Sequence, residues 1–188
     1  MRANAFPESQ RLDDTRHMAA GGMNLAYAIM AFVTLQRLAE LVIAARNTRA
    51  LKARGAIEFG AAHYPAMVVL HGAWLIVLWA TVGERPVNLP LLGVFAVLQA
   101  LRIWVLATLG SRWTTRIIVL PGAPLSTGGP FRILRHPNYC VVIGEIAVLP
   151  LVFGLVWVSI VFSLLNAAML WVRIGTENRA LYHDPQSA

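Results

Sequence analysis

The chemistry in this chain of 188 residues concentrates where its apolar runs stop. His136 stands between Arg135 and Pro137, two residues before Asn138 and three before Tyr139. Pro137 fixes its own backbone angle and can open a helix. His136 then falls at a helix N-terminus, where unpaired backbone N–H groups can hold an anion. The plainer alternative is a basic anchor whose polar tip sits at a membrane surface. Arg173 and Glu177 are four residues apart, so they share a helix face. Alone they read as an ordinary interfacial ion pair. Glu145 lies inside an apolar run; an acid there is costly unless it is paired or faces a polar cavity, which makes it a functional candidate.

Arg37, Glu40 and Arg102 also lie inside apolar runs. One reading is an intramembrane Arg–Glu pair plus an arginine that snorkels to the surface. The other is a polar wall facing a lipid-like substrate. His63 and His71 are eight residues apart, roughly on one face, but no third ligand lies nearby, so no metal is expected. Cys140 is alone, which leaves no intrachain disulfide and no cysteine-rich metal centre.

The elements that position these residues follow from composition. Hydrophobic residues make up 57% of the chain and charged residues 13%, with a net charge of +7. Soluble domains carry about a quarter charged residues, so this surface cannot be solvated in the usual way. The basic residues sit between long apolar runs rather than on one soluble face, which argues against a nucleic-acid partner. The expectation is an all-α, polytopic integral membrane protein. A helix needs about 20 apolar residues to cross a bilayer. Residues 23–45, 64–82 and 88–109 meet this, and the short link at 83–87 makes the second and third an antiparallel pair. Residues 146–172 carry no charge and contain Pro150 and Gly154, both helix breakers. They can form one long kinked helix or a tight hairpin of 139–153 and 155–172. With the hairpin there are about five membrane segments, the last two a helical hairpin with both ends on one side.

Residues 1–22 are polar and are expected to be a disordered tail, with no signal-peptide stretch, so that the first membrane helix directs insertion. Residues 23–181 form a single helical membrane domain and 182–188 a C-terminal tail. Within the domain, residues 110–140 are the long non-apolar stretch between membrane segments. Their Trp113, Ile117, Ile118, Val119 and Leu120 argue for a folded lid over the helix ends. Lys and Arg favour the cytoplasmic side. Counting loops with the hairpin puts ten basic residues inside and four outside, of sixteen in all. The N-terminus is then outside and the C-terminus inside. The hairpin returns Arg173 and Glu177 to the face of His136 and Tyr139, with Glu145 about two turns deeper, so that five polar groups converge on one cytoplasmic pocket.

At GPFRILRHPNY, at Glu145 and at RIGTEN the sequence resembles the isoprenylcysteine carboxyl methyltransferase family. Its members carry a GPY-R-RHPxY stretch before a helical hairpin and an R-I-x-x-E-E stretch after it. The resemblance covers roughly residues 90–181. The first half, with QRLAELVIAARN and HYPAMVVLH, looks more like a bacterial branch associated with type III polyketide synthases that methylates alkylpyrones or alkylresorcinols. The resemblance implies S-adenosylmethionine as cofactor, held between the loop and the last helices. Carried over, it implies that His136, Tyr139, Arg173 and Glu177, with Arg135 and Asn138 beside them, bind the cofactor, and that Glu145 and Arg173 are the catalytic pair. Asn178 departs from the pattern, standing where the family commonly has a second glutamate and supplying no charge.

Methyl transfer from a sulfonium to oxygen is an in-line displacement that needs no metal, and positioning alone contributes several kcal/mol. An ionised carboxylate or acidic enol needs no strong base, whereas a phenol benefits from one, such as His136 or Glu145. The expected function is therefore a membrane O-methyltransferase for a lipophilic acceptor, small molecule or lipidated, that arrives from the bilayer. Arg37, Glu40 and Arg102 are candidates for its pocket. Two other classes fit the composition: a membrane reductase of the sterol-reductase type using NADPH, and a transporter or assembly factor in which the Arg and Glu residues are structural.

Overall fold

The computed structural model describes residues 8–83, 85–124 and 126–182, with side chains described within residues 25–180. Five helices account for most of them: α1 (Glu8–Ala53), α2 (Tyr64–Thr81), α3 (Leu89–Leu109), α4 (Pro137–Val152) and α5 (Val156–Tyr182). Two three-residue strands, β1 (Ile57–Phe59) and β2 (Ile117–Val119), pair antiparallel with Ile57 opposite Val119. The fold is all-α, as the composition requires, with this one small clasp added.

Among the described residues, four helical stretches are long and apolar enough to cross a membrane: Leu25–Ala53, Ala61–Thr81, Leu89–Arg112 and Val156–Ala180. The shorter apolar helix is Pro137–Val152. The protein is thus a multi-pass membrane protein, and the surface agrees. Leu35, Val69, Ile76 and Leu164 point outward and are exposed. Trp157, near the start of α5, and Trp171, fourteen residues further along it, are 78% and 84% exposed.

The tail expectation is corrected over residues 8–22, which are helical and continue into the first membrane segment. Good helix formers such as Glu8, Gln10, Arg11 and Leu12 follow Pro7 with no further proline to stop them. Residues 1–7 and 183–188 lie outside the described residues.

The hairpin is present. α4 has Pro137 in its first turn and Pro150 in its last. After Val152 the chain turns through Gly154, at φ +68°, a left-handed angle that glycine adopts without a Cβ penalty. The amides of Gly154 and Leu155 cap the helix on the carbonyls of Leu151 and Pro150, at 3.0 and 2.9 Å. Sixteen residues of helix reach about 24 Å, less than the hydrocarbon core of about 30 Å. α4 is therefore a short arm enclosed by protein. Its Ile146, Leu149 and Val152 join Met30 and Val33 of α1, Trp74 and Leu78 of α2, Phe95 of α3 and Phe162 of α5 in one core. Gly144 lets α3 approach closely, since a Cβ there would meet Leu98 Cδ2 at 2.7 Å.

Chain direction sorts the helix ends. The ends of α1, α3 and α5 and the starts of α2 and α4 gather at one end, with the clasp and residues 110–136; this is the loop end. The expected lid is tied down there. Asn47 Nδ2 donates to the carbonyls of Gly110 and Trp113, at 3.1 and 2.8 Å. Lys52 and Arg116 both hold Glu58 across the clasp. Arg116 also lies 4.0 Å over the Tyr64 ring. Gly129, at φ +54°, presses the GGPFR turn against Thr108 and Trp104 of α3, where a side chain would not fit.

Candidate active site

A cavity of about 310 Å³ runs from the loop end into the helix bundle, with walls from all five helices. Its residues follow helical spacing. Tyr64, Met67, Val68, His71, Trp74 and Leu75 line it from α2, and Asn166, Met169, Leu170 and Arg173 from α5. Asn138, Tyr139, Val142, Glu145 and Ile146 come from α4, and Trp113 and Thr115 from the loop.

At middle depth, four charged side chains from three helices neutralise one another. Arg102 Nε and Nη2 grip both oxygens of Glu40. Arg102 Nη1 donates to Glu145 Oε2 at 2.8 Å, and Arg37 Nη2 donates to the same oxygen at 2.7 Å. Arg37 Nη1 reaches Glu40 Oε2 at 3.0 Å, and Gln99 Nε2 reaches Glu145 Oε1 at 2.8 Å. Two arginines and two glutamates make this group neutral, the condition under which buried charge is tolerable. The Arg37–Glu40 pair is as expected. Arg102 is not a snorkelling residue: at 6% exposure it is buried with three nitrogens engaged. Its position on α3 faces Gly144 and Glu145 of the close-packed α4, which gives it carboxylates to meet without leaving the bundle.

The second cluster lies at the loop end. His136 caps the N-terminus of α4 and stacks on Tyr139, ring centroids 5.4 Å apart. The Tyr139 hydroxyl donates to Glu177 Oε2, and His136 Nδ1 lies 3.8 Å from Glu177 Oε1. Arg173 lies 5.9 Å from the Tyr139 ring centre. Its Nη1 points at Met67 Sδ, 3.0 Å away, and its Nη2 donates to the Thr115 carbonyl at 3.1 Å. No carboxylate pairs with Arg173 among the described residues, so this buried guanidinium adds a net positive charge to the cavity.

Of the five groups expected to converge on one pocket, Tyr139, Glu145 and Arg173 line the cavity, while His136 and Glu177 meet at Tyr139 outside its lining. Glu145 is bonded to Arg37, Arg102 and Gln99 rather than to the loop-end cluster. Asn138 lines the cavity; Arg135 is exposed and lies outside its lining. Arg173 and Glu177 share a face without bonding, because Tyr139 takes Glu177. His71 lines the cavity through α2, its Nδ1 2.8 Å from the Met67 carbonyl.

Sequence reasoning named Asn138 and Tyr139 but passed over the other neutral polar groups of this cavity. Four neutral polar atoms of its walls are buried without a hydrogen-bond partner: Asn138 Oδ1, Trp113 Nε1, Asn166 Oδ1 and Trp74 Nε1. Leaving such an atom unpaired costs about 1–3 kcal/mol, so each of the four can form a hydrogen bond with a molecule or water in the cavity. Asn166 had a visible signal, an amide inside an apolar run without charge; the two tryptophans had none.

The cavity also opens sideways. Leu38 and Leu41 of α1 and Val68 of α2 line it and are each about half exposed. α1 and α2 are joined beyond this opening, where Tyr27 stacks on Trp79 and Trp79 Nε1 donates to Thr34 Oγ1 at 3.0 Å. A lipid-facing gap therefore lies between the two helices, below that join.

Comparison with known proteins accords with the site. Residues 91–183 match the isoprenylcysteine carboxyl methyltransferase (ICMT) family. The protein YpbQ of Bacillus subtilis, described as uncharacterized, is 38% identical over 160 residues, covering 82% of this chain and 95% of its own. An uncharacterized protein of Haemophilus influenzae is 26% identical over 170 residues, covering 86% of this chain and 95% of its own. No solved structure matches.

Proposed function

Because the chain belongs to the isoprenylcysteine carboxyl methyltransferase family of membrane methyltransferases, we propose that its cavity carries out S-adenosylmethionine-dependent O-methylation of a lipophilic acceptor. The observation that carries this reading is the shape of one cavity. It is cationic and short of hydrogen bonds at the loop end, and open to lipid between α1 and α2.

The loop end fits the cofactor's polar groups. Arg173, without a carboxylate of its own, suits the amino-acid carboxylate. Asn138 Oδ1 and Trp113 Nε1 supply an unmet acceptor and donor for ammonium, ribose or adenine. Glu177 holds the Tyr139 hydroxyl, and His136 stacks against the far face, so the Tyr139 ring is fixed as a wall. When bound, the cofactor supplies a methyl group on a sulfonium. The chain's part is to hold an acceptor oxygen in line with that methyl and to keep water out, which Val142, Ile146, Met169 and Leu170 do along the apolar wall.

The middle group bears on the acceptor. Its arginines are engaged by Glu40 and Glu145, so a carboxylate would meet two carboxylates and no free guanidinium there. A hydroxyl can donate to Glu145 Oε1, which Gln99 alone occupies, and pass its proton that way. We therefore favour an enolic or phenolic hydroxyl on a long apolar tail, as in alkylpyrones and alkylresorcinols. The tail would lie in the α1–α2 gap. A type III polyketide synthase makes acceptors of this kind, and the loop end with its arginines would face the cytoplasm.

The test is equilibrium binding of labelled S-adenosylmethionine to the purified chain in detergent. Arg173→Met should weaken it about tenfold or more, the loss of a charged hydrogen bond of about 1.5–3 kcal/mol, and Glu177→Gln, which loosens the hold on the Tyr139 wall, should weaken it as well. Unchanged affinity in both variants, or saturable binding of NADPH in its place, would overturn the assignment.

A further inference from the structure

The contact of Arg173 Nη1 with Met67 Sδ, 3.0 Å, fixes how antiparallel α2 and α5 lie side by side. Seven residues onward along α2 is Trp74; seven residues back along α5 is Asn166. Both steps are two helical turns, about 10 Å, so both residues lie deeper than the loop-end cluster. Both line the cavity, at 1% and 2% exposure. Trp74 Nε1 is a buried donor with no acceptor, and Asn166 Oδ1 is a buried acceptor with no donor.

Folding gains nothing from burying these two atoms unpaired, and apolar residues of the same shapes would fill the core better. An unmet donor and an unmet acceptor deep in one cavity suit a group that both accepts and donates, which is a hydroxyl. We propose that Trp74 and Asn166 form a recognition site for a second hydroxyl of the methyl acceptor, apart from the oxygen that is methylated. This rests on the reading above that the cavity holds a lipophilic acceptor. It narrows the acceptor to a ring lipid with two hydrogen-bonding oxygens. One lies at the level of Glu145 and the other at the level of Asn166, while the tail leaves past Leu38, Leu41 and Val68. A site built to bond a hydroxyl rejects the analogue that lacks it, because its own polar atoms are then left unpaired.

The experiment compares binding of a long-chain alkylresorcinol with that of the matching alkylphenol, which lacks one hydroxyl. The purified full chain is used without cofactor, and binding is followed by displacement of a labelled lipid. The wild type should prefer the resorcinol by about tenfold or more. Asn166→Leu, close in size but without the amide, and Trp74→Phe, smaller and without the indole N–H, should each abolish most of that preference by weakening resorcinol binding alone. An undiminished preference in both variants would overturn the proposal. So would an Asn166→Leu protein that loses S-adenosylmethionine affinity while keeping the preference, since Asn166 would then serve the cofactor. Because binding is read without methyl transfer, a chain that shows the preference but transfers no methyl group supports this site and counts against the proposed reaction alone.

Discussion

Glu145 lies between two arginines that belong to different helices, and its burial at 1% exposure is possible only because both are there. Removing one partner of such a group leaves a carboxylate uncompensated in a medium that solvates it poorly. Arg102→Leu strips Glu40 of its bidentate partner and Glu145 of one of two. It should destabilise the protein by about 3–5 kcal/mol, the range for breaking a buried pair, read as a lower midpoint of thermal unfolding in detergent. Arg37, at 17% side-chain exposure, retains more contact with solvent, so Arg37→Leu should cost less. The reverse order would show that the two arginines do not share the load as their geometry implies. The charges themselves were legible in the sequence, because an ionised residue within an apolar run stands out. Their partners were not, since Glu145 is separated from Arg37 by 108 residues and from Arg102 by 43.

Among the elements, the clasp of β1 and β2 is the part that sequence patterning did not anticipate. Three residues per strand are too few to show an alternation. The Ile117–Val119 run reads equally well as loop packing. Pairing and side chains together hold it: Lys52 from α1 and Arg116 from β2 both grip Glu58 of β1. The hydrogen bond from Lys52, with that from Arg116 behind it, outweighs desolvation and holds the Glu58 carboxyl below its ordinary pKa. A depressed carboxylate stabilises the fold in full above the ordinary Glu range, about pH 4.3. That contribution is lost as the pH falls through the lowered value. The difference in thermal stability between wild type and Glu58→Gln should therefore be constant near neutrality and close below about pH 4. A gap independent of pH would mean the carboxylate charge is not what closes the clasp. The hairpin, by contrast, was readable from Pro150 and Gly154, because both act on the backbone locally and need no partner.

On the scale of the whole molecule, a short α4 enclosed by longer helices places both ends of the α4–α5 hairpin at the loop end. Cys140, the single cysteine, is exposed in the first turn of α4. It should react with a membrane-impermeant maleimide from the same side of sealed vesicles as a cysteine introduced at Arg54, with Cys140→Ser as its background. A cysteine at Arg85, in the link between α2 and α3, should react from the opposite side. A cysteine at Arg179, near the end of α5, should react from the same side as Cys140; its labelling from the side of the Arg85 site would mean that α4 and α5 together cross the bilayer once and that the hairpin reading is wrong.

The sequence by itself determined that the chain lives in a membrane, which apolar runs form its membrane helices, and which residues near the hairpin resemble a methyltransferase family. Each of these depends on composition, on local backbone chemistry or on spacing within one segment. Spacing says which side chains share a helix face, as with Arg173 and Glu177. It does not say which face meets which. Only the tertiary structure decided that Glu145 turns to α1 and α3 rather than to Arg173, that Tyr139 takes Glu177, and that Trp74 and Asn166 line one cavity with unpaired atoms. Those outcomes depend on how far each helix is rotated and slid against its neighbours. That is set by packing, by the space Gly144 leaves for Leu98 and by the demand that every buried charge find its opposite.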